Sequence, residues 1–445
     1  MNIDRRTHRI TVRTCAVSGL ILTFAMINFA DKAALGLVEL PLSKELGLSH
    51  ATYGLVASSF FLLFSVCSAI GGFLTNRFGA RWIILILALL WSLAQVPLLA
   101  AASVATLFAS RIALGATEGP AAAVATHAVL QWFPAHRRGL PSAFYTVGAG
   151  LGTFTAAPVL TWLVLRYGWR AAFVALVVVG VVWGVLWLLI GRVGPYAGEP
   201  DTRGAVTESA DRLRVPYRRL FTSSTWLGGA IAGFGAYWAL AIGSAFVPAY
   251  LVTQHGFSAP TAALAVSVYA ALYVVGPLLV SPVVSALRGR GWSSRWSAGA
   301  TQGAAVVVAG AAMLLLPHAS GIAPVFVLVA VAFGVGVITF PLAYVTTGEV
   351  TPIAQRGASL GTLIAVQSIP GLVAPAISGW LLDAAGSLAA GYATVLTLGG
   401  VIMVVCGAVG IAAIRPERDA VHLGLAAPGP ASGARTAPAL TPEPR

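Results

Sequence analysis

The stretch Trp82-Ile-Ile-Leu-Ile-Leu-Ala-Leu-Leu-Trp-Ser-Leu-Ala-Gln-Val-Pro-Leu-Leu-Ala-Ala-Ala-Ser103 contains no charged side chain. A helix of about 20 mostly apolar residues crosses the hydrocarbon core of a bilayer, so this stretch reads as a membrane-spanning helix. It is one of twelve such windows, at 14–37, 52–75, 82–103, 105–131, 141–165, 171–191, 225–253, 259–286, 297–316, 321–346, 357–382 and 388–414. The first window is too long, and too interrupted by Asp31 and Lys32, to be a cleaved signal peptide.

The composition agrees with this reading. Of the 445 residues, 58% are hydrophobic and only 9% charged, and the mean hydropathy is +0.86. A soluble domain carries roughly 25% charged residues. So few charges cannot cover a water-facing surface of this size, which excludes a large soluble enzyme, a disordered chain and a fibrous protein. A net charge of +13 invites a nucleic-acid reading. The cations, however, stand singly or in pairs between apolar runs, so no nucleic-acid partner is expected. Cys15, Cys67 and Cys406 lie in apolar segments without metal-type spacing, so neither a disulfide framework, a metal nor another cofactor is expected.

Lys and Arg accumulate on the cytoplasmic side of membrane proteins. With the N-terminus inside, the outer side keeps only Lys44, Arg166 and Arg170, which predicts that both termini are cytoplasmic. The chain also repeats. Phe133-Pro-Ala-His-Arg-Arg-Gly139 and Thr351-Pro-Ile-Ala-Gln-Arg-Gly357 each join a fourth span to a fifth, about 218 residues apart, and the same offset carries the first span onto the seventh. The expected architecture is all-α, with twelve transmembrane helices in two parallel six-helix halves, as in a rocking transporter. The first half is 1–192, a cytoplasmic central loop is 193–224, the second half is 225–415, and 416–445 is an Ala/Pro/Gly-rich tail expected to be disordered.

The loop Gly71-Gly-Phe-Leu-Thr-Asn-Arg-Phe-Gly-Ala-Arg81 resembles the inner-loop signature of the major facilitator superfamily, with Asn76 where that signature carries Asp. The stretches Asn28-Phe-Ala-Asp-Lys-Ala-Ala-Leu-Gly36, Arg111-Ile-Ala-Leu-Gly-Ala-Thr-Glu-Gly-Pro120, Tyr167-Gly-Trp-Arg-Ala-Ala-Phe173 and Phe246-Val-Pro-Ala-Tyr-Leu-Val252 narrow the likeness. Together they resemble the anion–cation symporter family, whose members move organic acids; at Lys32 that family commonly has Arg. The resemblance implies substrate and proton chemistry at the charged residues of the first and fourth spans, and a gate at Asn76, Arg77 and Arg81. It also implies a polar amide near the site in the eleventh span, where Gln367 and Ser368 stand.

Asp31, Lys32, Arg111 and Glu118 are the ionisable residues well inside spans. Each costs about 2.5–3.5 kcal/mol at a helix centre, so they need partners, water or a task. Structural ion pairing is the plain reading; a transport site is the other. Arg111 and Glu118 are two helical turns apart on one face, about 10 Å, with Gly115 between them leaving room for a ligand. The Arg111 fork suits two carboxylate oxygens, and Lys32 supplies a second, point-like cation. Glu118 and Asp31 are the candidate proton carriers. Tyr53, Tyr145, Tyr237, Trp238 and Tyr273 lie in spans that should border the cavity. Glu349 and Arg356, at the cytoplasmic end of the tenth-to-eleventh connection, read as gate residues.

The expectation is therefore a monomeric secondary transporter of the cell inner membrane, taking in a small organic acid with protons. An anion exchanger or uniporter of the same fold is the alternative, and a membrane receptor or enzyme the reading from another class. Gly357-Ala-Ser-Leu-Gly361 matches a hydrolase frame. It opens a span at the cytoplasmic face, though, with Asp383 at the opposite face and His422 in the tail, so no triad assembles.

Overall fold

The computed structural model describes residues 12–77, 79–100, 102–134, 141, 144–197, 214–352 and 355–425, with side chains for all of these except 69 and 71–77. The regular elements among the described residues are all helices. In the first half they are α1 (Val12–Leu37), α2 (Glu39–Leu46), α3 (His50–Arg77), α4 (Ala80–Ala100), α5 (Val104–Glu118), α6 (Ala121–Leu130), α7 (Phe144–Tyr167) and α8 (Trp169–Ile190). A short α9 (Tyr217–Phe221) leads into the second half. There follow α10 (Ser224–His255), α11 (Ala259–Gly289), α12 (Ala300–Leu315), α13 (Ile322–Gly334), α14 (Thr339–Glu349), α15 (Arg356–Ala384), α16 (Leu388–Ala413) and α17 (Pro416–His422).

Eleven helices among the described residues are long and apolar enough to cross a membrane. The expected window at 105–131 departs from a single rod. There the chain forms α5 and α6, divided at Gly119-Pro120, because proline has no N–H to give and crowds the preceding turn. Helix starts carry their own signals: the hydroxyls of Ser223, Ser258 and Ser387 accept the N–H groups of Trp226, Thr261 and Ala390. Ser103 and Thr106 form a reciprocal capping box.

Within the first half α1 packs on α7, α3 on α5, and α4 on α5 and α8; within the second α12 packs on α16, and α10 on α15 and α16. The halves meet where α3 lies against α15, α7 against α11, and α1 against α10. This seam is built on backbone contact. A Cβ at Gly36 would stand 2.0 Å from the Ser244 carbonyl oxygen, and one at Gly54 would stand 2.2 Å from that of Pro375. Glycine alone permits helices to approach so closely. Side chains continue the seam: the Ala376 N–H donates to Ser58 Oγ at 3.0 Å, Ser65 and Ser368 share a 2.9 Å hydrogen bond, and Ser267 donates to the Phe154 carbonyl at 2.8 Å. At the end where α2 sits, Asp383 of α15 accepts the N–H groups of His50 and Ala51 at 3.0 and 2.8 Å. A carboxylate from one half thus caps the first turn of a helix in the other.

Part of the stretch expected as a tail is helical. Residues 416–422 form α17, with Pro416 in its first turn, where a missing N–H costs nothing. Its Asp419, 4% exposed, accepts from the Ser224 and Thr225 hydroxyls and the Thr225 N–H at 2.7–2.8 Å. The carboxylate thereby holds α17 on the first turn of α10. The remainder of the expected tail, 426–445, lies outside the described residues.

Candidate functional site

The four charges inside the bundle do not form two separate pairs. Lys32 Nζ of α1 lies 3.0 Å from Glu118 Oε2 at the end of α5 and donates to Asn28 Oδ1, one turn back in its own helix, at 2.6 Å. The same Asn28 oxygen accepts the Tyr145 hydroxyl of α7 at 2.9 Å. Lys32, Glu118, Asn28 and Tyr145 are therefore one polar cluster drawn from three helices. The Glu118 carboxylate is buried, with the Lys32 ammonium and the Asn28 amide facing it.

Asp31 turns away from this cluster, since neighbours in a helix point about 100° apart. It is 2% exposed, accepts from Gln95 Nε2 of α4 at 3.2 Å, and leaves its second oxygen without a partner. Arg111 is 6% exposed. It makes no ion pair among the described residues, and its Nε is unpartnered. Its guanidinium carbon stands 5.0 Å from the centre of the Phe60 ring, while Lys32 Nζ stands 5.7 Å from that same ring. Phe60 thus carries both cations by the attraction of a ring face for positive charge. Phe29 and Phe64 add to it, 4.3 and 5.3 Å from Lys32 Nζ. Gly115 does not leave room for a ligand as its place between Arg111 and Glu118 suggested. A Cβ there would stand 1.8 Å from the Phe60 carbonyl oxygen, so this glycine serves the crossing of α5 on α3.

An aromatic wall crosses from one half to the other. Phe61 meets Tyr237 of α10 edge-on at 5.8 Å, and Tyr237 meets Phe340 of α14 at 6.0 Å. Tyr145 and Tyr237 are thus beside the charged cluster, as their spans suggested. Tyr53 is fully buried in the seam within electrostatic reach of Arg111, its hydroxyl shared between the carbonyls of Leu35 and Ala245 at 3.0 and 3.1 Å. Gln367 is turned onto the Gly229 carbonyl of α10 at 3.0 Å, which makes it a brace inside the second half, and Ser368 bonds Ser65 across the seam. Trp238 and Tyr273 are both buried, and Trp238 Nε1 has no partner.

The expected gate residues divide. Asn76 and Arg77 end α3, but their side chains lie outside the described residues. Arg81 donates to the Leu188 carbonyl at 3.2 Å and lies over Trp82, both within the first half. Glu349 does not pair with Arg356; it binds Arg288 Nη1 at 2.7 Å and the Ser294 hydroxyl at 2.5 Å. Arg356 donates instead to the Thr351 carbonyl at 3.4 Å. Arg288 had a signal in the sequence, because Arg288-Gly-Arg-Gly-Trp-Ser-Ser-Arg295 joins two spans of the second half as the Gly71–Arg81 loop does in the first. Asn28 could have been found from its i, i+4 spacing to Lys32, and Gln95 as the one amide in the window at 82–103.

Comparison with known proteins follows the same lines. The family model of the Major Facilitator Superfamily matches residues 20–291 and 230–440. The probable sulfoacetate transporter SauU of Cupriavidus necator is 26% identical over 83% of this chain and 88% of its own length. The probable galactarate/D-glucarate transporter GudP of Bacillus subtilis is 26% identical over 83% and 85%. The hexuronate transporter of Bacillus subtilis is 27% identical over 52% of this chain, which spans only 55% of that relative. Among solved structures, a bacterial homologue of the human lysosomal transporter Spinster, inward-facing and unoccupied, superposes with a TM-score of 0.73 at 18% identity, over 92% of this chain and 98% of its own. A D-xylose–proton symporter gives 0.67 at 18% identity, over 87% and 97%. These relatives and neighbours are transporters and not enzymes. With its long apolar helices and the family model matched along most of its length, this chain is a multi-pass membrane protein that belongs to the Major Facilitator Superfamily.

Proposed function

We propose that this protein imports a small organic anion together with protons across the cytoplasmic membrane, by rocking its two halves about the charged cluster. The reading takes all twelve windows as spans and both termini as cytoplasmic, which places α2 and the closed seam at the outer face. The monomer is the transporting unit in this reading, and Arg77, Arg81 and the Arg288–Glu349 pair lie at the inner gate.

The observation that carries it is the unequal pairing of the four charges: Lys32 is held by Glu118 while Arg111, over the same Phe60 ring, makes no ion pair among the described residues. With all four ionised the cluster is neutral. Adding a proton to Glu118 leaves it with one net positive charge and releases the Lys32 ammonium. A substrate carboxylate can then take the place of Glu118 against Lys32 and engage the fork of Arg111. Anion and proton thus enter the dry interior together, because either alone leaves an uncompensated charge there. Relatives named for hexuronate, sulfoacetate and galactarate support an organic acid as cargo. Phe29, Phe60, Phe64, Phe61 and Tyr237 favour one that presents an apolar or aromatic face beside its acid group.

The test is uptake by purified carrier in proteoliposomes. Galacturonate, galactarate, sulfoacetate and benzoate are offered with and without an imposed inward proton gradient. Accumulation of one of these acids that disappears when the gradient is collapsed is the expected result. Uptake indifferent to the gradient would sink the symport reading in favour of exchange or uniport.

A further inference from the structure

Glu39 opens α2, just beyond the last residue of α1, and is 1% exposed. Neither of its carboxylate oxygens has a hydrogen-bond partner among the described residues. The basic group beside it is the imidazole of His50 on α3, with Nδ1 at 3.9 Å and a side chain one-third exposed. That imidazole reaches both the buried carboxyl and water. No lysine or arginine among the described residues pairs with Glu39. The other titratable groups facing it are Tyr53 of α3 and Tyr392 of α16. The Tyr53 proton is committed to the Leu35 and Ala245 carbonyls. Behind Tyr392 stand Tyr250 and His255 of α10, and Asp383 of α15 is engaged with the His50 and Ala51 amides.

This burial is supplied by the other half of the molecule. Glu39 is less than one turn beyond Gly36, which touches the Ser244 backbone of α10, and α10 also packs on α2. Parting of the halves at this end takes α10, α15 and α16 away from α1–α3 and lets water reach the carboxyl. The same side chain is thus dry with the seam closed and wet with it open. An isolated ionised carboxylate is costly in the first setting and ordinary in the second.

We infer that Glu39 is a proton-binding site of the outer seam, taking up a proton as the halves close there and releasing it as they part, with His50 as its path to water. This rests on the rocking motion proposed above and adds a titrating group remote from the Lys32–Glu118 cluster. Burial pushes the Glu39 carboxyl well above the usual carboxylate range in the closed form. The closed form therefore binds more protons than the open one, so falling pH favours closure. One linked proton changes the closed-to-open ratio by up to about tenfold per pH unit.

The test uses the full chain in nanodiscs with its three native cysteines replaced and spin labels at Lys44→Cys and Gln254→Cys. The distance between the labels is followed from about pH 8.5 to about pH 5. The expected result is a short-distance population that grows up to about tenfold per pH unit as pH falls. It becomes pH-independent and dominant in Glu39→Gln and keeps its slope in His50→Gln. Glu39→Asp, which retains the acid, keeps the response and serves if the Gln variant does not fold. A response that persists in Glu39→Gln, that vanishes in His50→Gln, or that is absent from the unmutated background overturns the inference. Uptake assayed in parallel separates the two ideas. Proton-driven uptake with pH-independent distances sinks the Glu39 site alone, and proton-independent uptake with pH-dependent distances sinks the symport alone.

Discussion

Lys32 Nζ lies 3.0 Å from Glu118 Oε2, while Asp31, next to it in the chain, faces Gln95 on the far side of α1. One turn of α1 thereby holds two acid–base environments, one beside the aromatic wall and one behind it. If Glu118 carries the transported proton, Glu118→Gln should bind substrate and exchange it across the membrane, yet fail to accumulate it against a gradient. Counterflow and net uptake measured on the same vesicles check this. Concentrative uptake by Glu118→Gln would move the assignment to Asp31.

The pair is also structural, which gives a stability signature. Removing one partner of a buried ion pair costs about 3–5 kcal/mol because the other charge is left behind. Lys32→Ala should therefore lower the thermal midpoint, and adding Glu118→Gln should recover most of the loss. A double variant no more stable than Lys32→Ala would show that the two side chains do not depend on each other.

Arg111 should act on affinity more than on stability, since it makes no close ion pair among the described residues and Arg111→Lys leaves its charge in place. Arg111→Lys keeps the charge over Phe60 but loses the fork. The expected effect is a rise of about tenfold in KM, or about 1.4 kcal/mol, with a much smaller change in the thermal midpoint. An unchanged KM would remove Arg111 from the substrate site.

Asp419 offers a pH-dependent test outside the membrane. Burial raises its carboxyl, but the Thr225 and Ser224 hydroxyls, the Thr225 amide and Arg418 outweigh this and hold it below the usual carboxylate range. A carboxyl held down contributes stability above its ordinary value of about 3.9, and loses it as pH falls through the lowered value. Asp419→Asn should thus melt earlier than the unmutated chain near neutral pH and free α17 to proteolysis. The difference should close below about pH 4. A gap that stays constant with pH would mean the carboxylate charge is not what docks α17.

Much of this could be read from the sequence for a definite reason. A span, a repeat and a charge inside an apolar window are local or periodic signals, so the eleven long apolar helices and the four intramembrane charges were visible in it. Even the division of α5 from α6 has its cause in plain view at Gly119-Pro120. Partner choice was not visible. That Lys32 takes Glu118, that Gln367 turns to Gly229, and that Tyr53 serves the seam are decided by how helices from distant parts of the chain rotate against each other. Glu39 gives no such signal, because it lies just past a span and its burial depends on the packing of α10, from the other half, on α2.

Ser65 and Ser368 share a hydrogen bond across the seam, between α3 and α15. Oxygens 2.9 Å apart on such short side chains bring the Cβ atoms near the separation a disulfide needs, roughly 3.5–4.5 Å. Ser65→Cys with Ser368→Cys, in a background where Cys67 is replaced, should cross-link under mild oxidant and pin the halves in the form seen here. A carrier that must open at this seam should then stop transporting and recover fully on reduction. Oxidised protein that still transports at its reduced rate would mean that the α3–α15 seam does not part during the cycle, and the rocking mechanism would have to be given up.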